Sequence, residues 1–101
     1  MAVKSTNESF PQDIEEGLVL ADFYSDSCIP CKRMSPVLAE LEEENPEVKL
    51  VKLNINFGAE TAAKYEVASV PTLVFFRDGN EIRRITGAVR KAQIEEIIKT
   101  I

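Results

Sequence analysis

Histidine and tryptophan are missing from this chain, and cysteine occurs twice. Without imidazole, metal ligation and general-base work fall to Asp, Glu, Lys or the thiols. Basic residues are also short: 12 Lys and Arg stand against 17 Asp and Glu, for a net charge of −5. Phosphate binding needs a basic surface, so nucleic acid is not an expected partner. No apolar run approaches the roughly 20 residues that cross a membrane. The first eight residues, Met1-Ala2-Val3-Lys4-Ser5-Thr6-Asn7-Glu8, lack the apolar centre of a signal peptide. A cytoplasmic protein with no membrane association is expected, and there a disulfide is usually transient. Repeats, low-complexity tracts and linkers are lacking too. The 101 residues, 45% of them hydrophobic, suit one domain over 1–101 with a core that needs no staple. Nothing requires a dimer, so a monomer is expected.

Against that background the two cysteines stand out. They lie in Ser27-Cys28-Ile29-Pro30-Cys31-Lys32. The near-continuously apolar run Leu18–Tyr24 precedes them and reads as a central strand buried on both faces. A helical pattern follows from Pro30 to about Asn45, with Met34, Val37, Leu38 and Leu41 on one face. A Cys-x-x-Cys pair at a strand-to-helix turn suits dithiol–disulfide chemistry. A thiolate at Cys28 would be stabilised by the unpaired N–H groups and positive dipole end of that helix. The competing readings are two structural thiols or half of a metal site. With no further Cys and no His, one chain cannot supply a four-ligand zinc site, although a metal or iron–sulfur cluster bridged between two chains stays open.

The remaining pattern completes a fold. Ala2-Val3 reads as the start of a short edge strand. Ser9 is a candidate cap for a short helix with Pro11 in its first turn, which Gly17 would end. Pro36 inside the long helix removes a backbone donor and should kink it. Val48–Ile55 and Thr72–Phe76 read as strands, and Ala59–Tyr65 as a short helix between them. Asp78-Gly79-Asn80 turns the chain into Glu81–Thr86, a hairpin signal. The last helix, about Arg90 to Lys99, puts Ile94, Ile97, Ile98 and Ile101 on one face. Phe10, Phe23, Phe75 and Phe76 are core candidates. The order predicts an α/β fold: a central mixed β-sheet, parallel strands plus an antiparallel terminal hairpin, flanked by helices on both faces. Glu40, Glu42, Glu43 and Glu44 read as a solvated helix end, and Arg83-Arg84 and Arg90-Lys91 as surface charges.

Nearly the whole chain resembles the thioredoxin family. The resemblance rests on Leu20-Ala21-Asp22-Phe23-Tyr24, then Cys28-x-Pro30-Cys31-Lys32, then Pro36. Val51-Lys52-Leu53-Asn54-Ile55 and Val70-Pro71-Thr72-Leu73 extend it, and Gly79 and Gly87 fall at family glycines. Two positions depart. Ser27 stands where the family has tryptophan, and Ile29 where it has glycine, which alters the surface offered to partners.

The resemblance implies a protein-disulfide reductase and electron carrier whose cofactor is its own Cys28–Cys31 couple, with no other cofactor or metal. Cys28 would attack a client disulfide and Cys31 would resolve the mixed disulfide. Disulfide-containing client proteins and a thioredoxin reductase or equivalent donor are the implied partners. Asp22, in an apolar run, should be desolvated with a raised pKa; the plain alternative is a solvated carboxylate at a strand end. By resemblance it takes the Cys31 proton, through water. Lys52, otherwise an exposed strand lysine, would be its partner. Pro71 would follow a cis bond, beside the cysteines, and leave the Val70 backbone to pair with an extended client peptide; the alternative is a trans proline opening an edge strand. Pro30 would preorganise the helix start. Ile29 with Pro30, Val70 and Ala88 forms a candidate apolar docking patch around Cys28, completed by Ser27 and Gly87, or else Ile29 is a neutral variant. Asp26 should oppose a Cys28 thiolate, weakened by solvent. Two other functions stay open: a relative dedicated to one client or reductase, motivated by Ser27 and Ile29, and a non-catalytic binding module in which the cysteines are incidental.

Overall fold

The computed structural model describes residues 2–101. The elements run β1 (Val3–Lys4), α1 (Phe10–Asp13), β2 (Leu18–Tyr24), α2 (Ile29–Glu44), β3 (Val48–Asn54), α3 (Ala59–Lys64), β4 (Thr72–Arg77), β5 (Asn80–Thr86) and α4 (Lys91–Thr100). This is the predicted element order. The strands form one sheet in the order β1-β3-β2-β4-β5. β3 runs parallel to both β1 and β2, while β4 is antiparallel to β2 and to β5.

Strand alternation divides the core in two. Val19, Ala21 and Phe23 of β2 face the cluster that also holds Phe10, Ile14, Val51, Ala62, Val74 and Phe76. That side lies beneath α1 and α3, and its rings interlock: Phe10 sits 5.6 Å from Phe23, 5.4 Å from Tyr65 and 5.8 Å from Phe76. Leu20 of β2 faces the opposite way, among Met34, Leu38, Leu50, Phe75, Ile94 and Ile97 under α2 and α4. All four predicted core phenylalanines are fully buried.

Local chemistry sets the turns. Asp78 and Gly79 take φ of 51° and 86°, and Arg77 pairs with Asn80 across them. Two left-handed residues match the twist of a two-residue hairpin, and glycine adopts that conformation without steric cost. Gly58 is required for a different reason: a Cβ there would lie 2.6 Å from Leu53 Cδ1 in the core.

Several expectations need correction. Gly17 does not end α1, which stops at Asp13 with the buried Ile14 as its C-cap. Gly17 instead bends the chain into β2 at φ +69°, and its N–H donates to Asp78 Oδ1 at 2.8 Å. Ser9 occupies the N-cap with helical φ and ψ and no capping bond; its hydroxyl donates to Asp13 Oδ2 at 2.9 Å and accepts from the Thr6 N–H at 3.1 Å. α2 begins one residue earlier than expected and continues through Pro36 to Glu44. Two charges at supposed free surfaces tie elements together. Lys91 reaches Glu44 at 2.9 Å and Glu40 at 3.9 Å, joining α4 to α2. Arg84 pairs with Glu81 and donates to the carbonyls of Tyr65 and Glu66, at 2.6 and 3.3 Å.

Candidate functional site

The register assembles the site at one end of the sheet. Tyr24 pairs with Asn54 and Phe23 with Thr72, while Thr72 pairs with Thr86. The loops after β2, before β4 and after β5 therefore emerge together. They carry Cys28, Pro71 and Gly87. The Gly87 N–H donates to the Pro71 carbonyl at 2.8 Å, tying the last two loops to each other. The Val70–Pro71 bond is cis, as the resemblance implied, so the trans alternative is set aside.

Cys28 is the N-cap of α2, in extended conformation, and forms a disulfide with Cys31. Its Sγ accepts the Cys31 N–H at 3.1 Å, as a capping side chain does. The loop before it is braced by hydroxyls: Ser25 and Ser27 Oγ lie 3.2 Å apart, and the Ser25 carbonyl accepts the Cys28 N–H at 3.3 Å. Pro30 occupies the first turn of α2, where a missing donor does no harm. The two sulfurs differ in environment. Cys28 is partly exposed, whereas Cys31 is 4% exposed. Around Cys28, Ser27, Ile29, Pro30 and Ala88 are exposed and Val70 is half-buried. Ile29 is 64% exposed, an unusual state for a large aliphatic side chain.

Below Cys31 lies a cavity of about 130 Å³, lined in part by Asp22, Tyr24, Asp26, Ser35 and Lys52. Asp22 is 2% exposed, which settles against a solvated carboxylate at a strand end. Its Oδ1 has no hydrogen-bond partner among the described residues. Burial pushes its pKa from 3.8 up to about 6, and the nearby Lys52 charge restrains the rise. Lys52 is Asp22's neighbour across β2 and β3 and is half-buried, not exposed. Its ammonium, however, is engaged elsewhere: it donates to Ser35 Oγ at 3.3 Å and lies 5.1 Å from the centre of the Tyr24 ring.

Ser35 and Tyr24 are site residues that the sequence reading passed over. Their signals were positional: Ser35 is four residues after Cys31 on one helix, and Tyr24 is two after Asp22 on one strand. Asp26 is exposed on the cavity rim. No group of three or more His, Cys, Asp or Glu side chains able to hold a metal lies among the described residues. No described helix is long and apolar enough to cross a membrane.

A two-cysteine couple capping a helix, above a buried carboxyl, on a mixed five-stranded sheet defines a dithiol–disulfide exchange protein. The thioredoxin family model matches residues 1–100. The chain is 41% identical over 93 residues to a thioredoxin of Chlamydia pneumoniae, covering 92% of this chain and 91% of that one. It is 41% identical over 97 residues to a thioredoxin of Bacillus subtilis, covering 95% and 93%. A thioredoxin of Listeria monocytogenes is 38% identical over 99 residues, covering 97% and 96%. The chain belongs to the thioredoxin family, and it is a thiol–disulfide oxidoreductase. The binding-module and single-client alternatives are not favoured.

Proposed function

We propose that this protein is a cytoplasmic, monomeric dithiol carrier, one domain over 1–101, that reduces disulfides in client proteins. The Cys28 thiolate attacks one client sulfur; the client S–S bond breaks and a Cys28–client mixed disulfide forms. The other client sulfur leaves as a thiolate and takes a proton from solvent. Cys31 then loses its proton and attacks Cys28 Sγ. The Cys28–client bond breaks, the Cys28–Cys31 disulfide forms, and the second client thiol is released. Two electrons pass to the client, and a thioredoxin reductase or equivalent dithiol donor returns them.

The observation that carries this reading is the unequal setting of the two sulfurs. Cys28 caps α2, where orphan N–H groups and the helix dipole favour an anion, and is open to a partner. Cys31 is buried against the Asp22 cavity. A carboxyl raised to about 6 is a suitable acceptor for the Cys31 proton near neutral pH. A cavity of about 130 Å³ has room for a bridging water. Lys52 tunes that carboxyl, and Pro30 preorganises the start of α2. The Val70 backbone, beside cis-Pro71, pairs with an extended client segment. Ser27, Ile29, Gly87 and Ala88 form the surface that the client meets.

Turnover against a protein disulfide, with a small dithiol as donor, tests this. Wild type reduces the substrate catalytically, and Cys28→Ser is inactive. A Cys28→Ser variant that works as well as wild type would refute the reading. The reduction potential tests direction: a value near the roughly −270 mV of thioredoxins marks a reductant, and one near roughly −180 mV or above marks an isomerase or oxidant.

A further inference from the structure

Resting on the proton-transfer role given to Asp22 above, we propose that Ser35 and Tyr24 are positioning residues for the resolving step: together they hold the Lys52 ammonium away from Asp22, leaving that carboxyl free to take the Cys31 proton.

Strand and helix periods set which way these side chains point. Leu20 and Leu50 belong to the core cluster under α2. Asp22 and Tyr24 follow Leu20 by two and four residues along β2, and Lys52 follows Leu50 by two along β3. All three therefore project to the α2 side of the sheet. On α2, Cys31 and Ser35 are four apart and share the face that looks down on them. The cavity is the space enclosed between these two sets of side chains.

An ammonium and a carboxylate in register on adjacent strands, poorly solvated, would normally close into an ion pair. Here they do not close. Lys52 Nζ donates to Ser35 Oγ at 3.3 Å and lies over the Tyr24 ring, 5.1 Å from its centre. A hydroxyl lone pair and an aromatic face are both neutral partners for a half-buried ammonium. Asp22 Oδ1 is left without a partner, at a residue 2% exposed. Burial is then the larger influence on the carboxyl and Lys52 the smaller one. A closed ion pair would reverse that order and make Asp22 a poorer base. The other titratable groups at the cavity are Tyr24 at the end of β2, Asp26 in the loop that follows, and Cys31 and Lys32 on α2. From β4, the residue opposite Asp22 is the apolar Leu73.

Two readouts test the proposal. One is the carboxyl ¹³C titration of Asp22 in the oxidised protein, which needs no turnover. The other is the pH profile of single-turnover resolution of a mixed disulfide. Ser35→Ala, mild in a helix, is expected to lower the Asp22 midpoint by about half a unit or more. The resolving-step midpoint should fall with it. Ser35→Thr keeps a hydroxyl and should restore the wild-type midpoint. Tyr24→Leu should move the midpoint the same way as Ser35→Ala. In a Lys52→Met background both effects should vanish, because no ammonium remains to be released. An Asp22 midpoint unmoved by Ser35→Ala, or moved equally in the Lys52→Met background, would overturn the positioning role. A resolving rate indifferent to Asp22→Asn would overturn the proton-transfer role itself, and this proposal with it.

Discussion

The two faces of the sheet are built from the same three central strands and are put to different uses. The face under α1 and α3 is closed by rings: Phe10, Phe23, Tyr65 and Phe76 contact one another at centroid distances of 5.4 to 5.8 Å. The face under α2 and α4 is closed by aliphatic side chains over most of its length. At its C-terminal strand end it opens into a polar cavity holding Asp22 and Lys52 beneath Cys31 and Ser35. One face carries stability with no acid or base among its fully buried side chains. The other gives up some stability by burying a carboxyl whose Oδ1 has no hydrogen-bond partner among the described residues, the group to which the proposed mechanism gives the role of proton acceptor.

Substitutions on the two faces should therefore separate stability from chemistry. The largest effect is expected from Phe76→Ala, which empties the centre of the ring cluster. It should cost about 3–5 kcal/mol in urea unfolding of the oxidised protein, while the rate of mixed-disulfide resolution in the folded fraction stays near wild type.

Next comes Asp22→Asn, whose effect should depend on pH. The folded pKa, about 6, lies above the unfolded 3.8, so between these values the folded state holds the proton and the unfolded state does not. Stability contributed by the protonated group is full below about pH 4 and is lost as pH rises through 6. The gain from Asp22→Asn should therefore be about 2 kcal/mol larger at pH 7 than at pH 4. Unfolding of the oxidised proteins at the two pH values checks this, and a pH-independent difference would contradict it. The same variant should resolve mixed disulfides at least ~10-fold more slowly near neutral pH.

The smallest effect is expected from Gly58→Ala. It sets a methyl group against Leu53, which is 1% exposed and has little room to move. Its cost should be about 1–3 kcal/mol, seen as a lowered urea midpoint, with Asp22's carboxyl titration unchanged. A change in that titration would mean that the two faces are coupled through β3.

Most of the framework was legible because its signals are local. The apolar run of β2, the Cys-x-x-Cys spacing, the Asp-Gly turn and the isoleucine face of α4 each follow from short-range periodicity or turn chemistry. Asp22 stood out as the one charge in its strand. What escaped the sequence depends on contacts between distant segments. Ser35 looks like any polar helix residue until β3 brings Lys52 beneath it, 17 positions away in the chain. Arg84 looks like surface charge until the hairpin carries it to the carbonyls that end α3. Gly17 looked like a helix terminator because nothing in the run Ile14-Glu15-Glu16 marks an earlier stop at Asp13. Lys52 was expected to pair with Asp22, and the register does bring them side by side. Where its ammonium points was decided by Ser35 and Tyr24.

In the proposed cycle Cys28 attacks and Cys31 resolves. This division of roles is tested most directly by offering one disulfide-bearing protein to reduced Cys31→Ser and Cys28→Ser variants and locating the adduct by mass spectrometry. A stable mixed disulfide is expected on Cys28 in the first variant, and none, or far slower formation, on the buried Cys31 in the second. Adducts forming on Cys31 as fast as on Cys28 would contradict it.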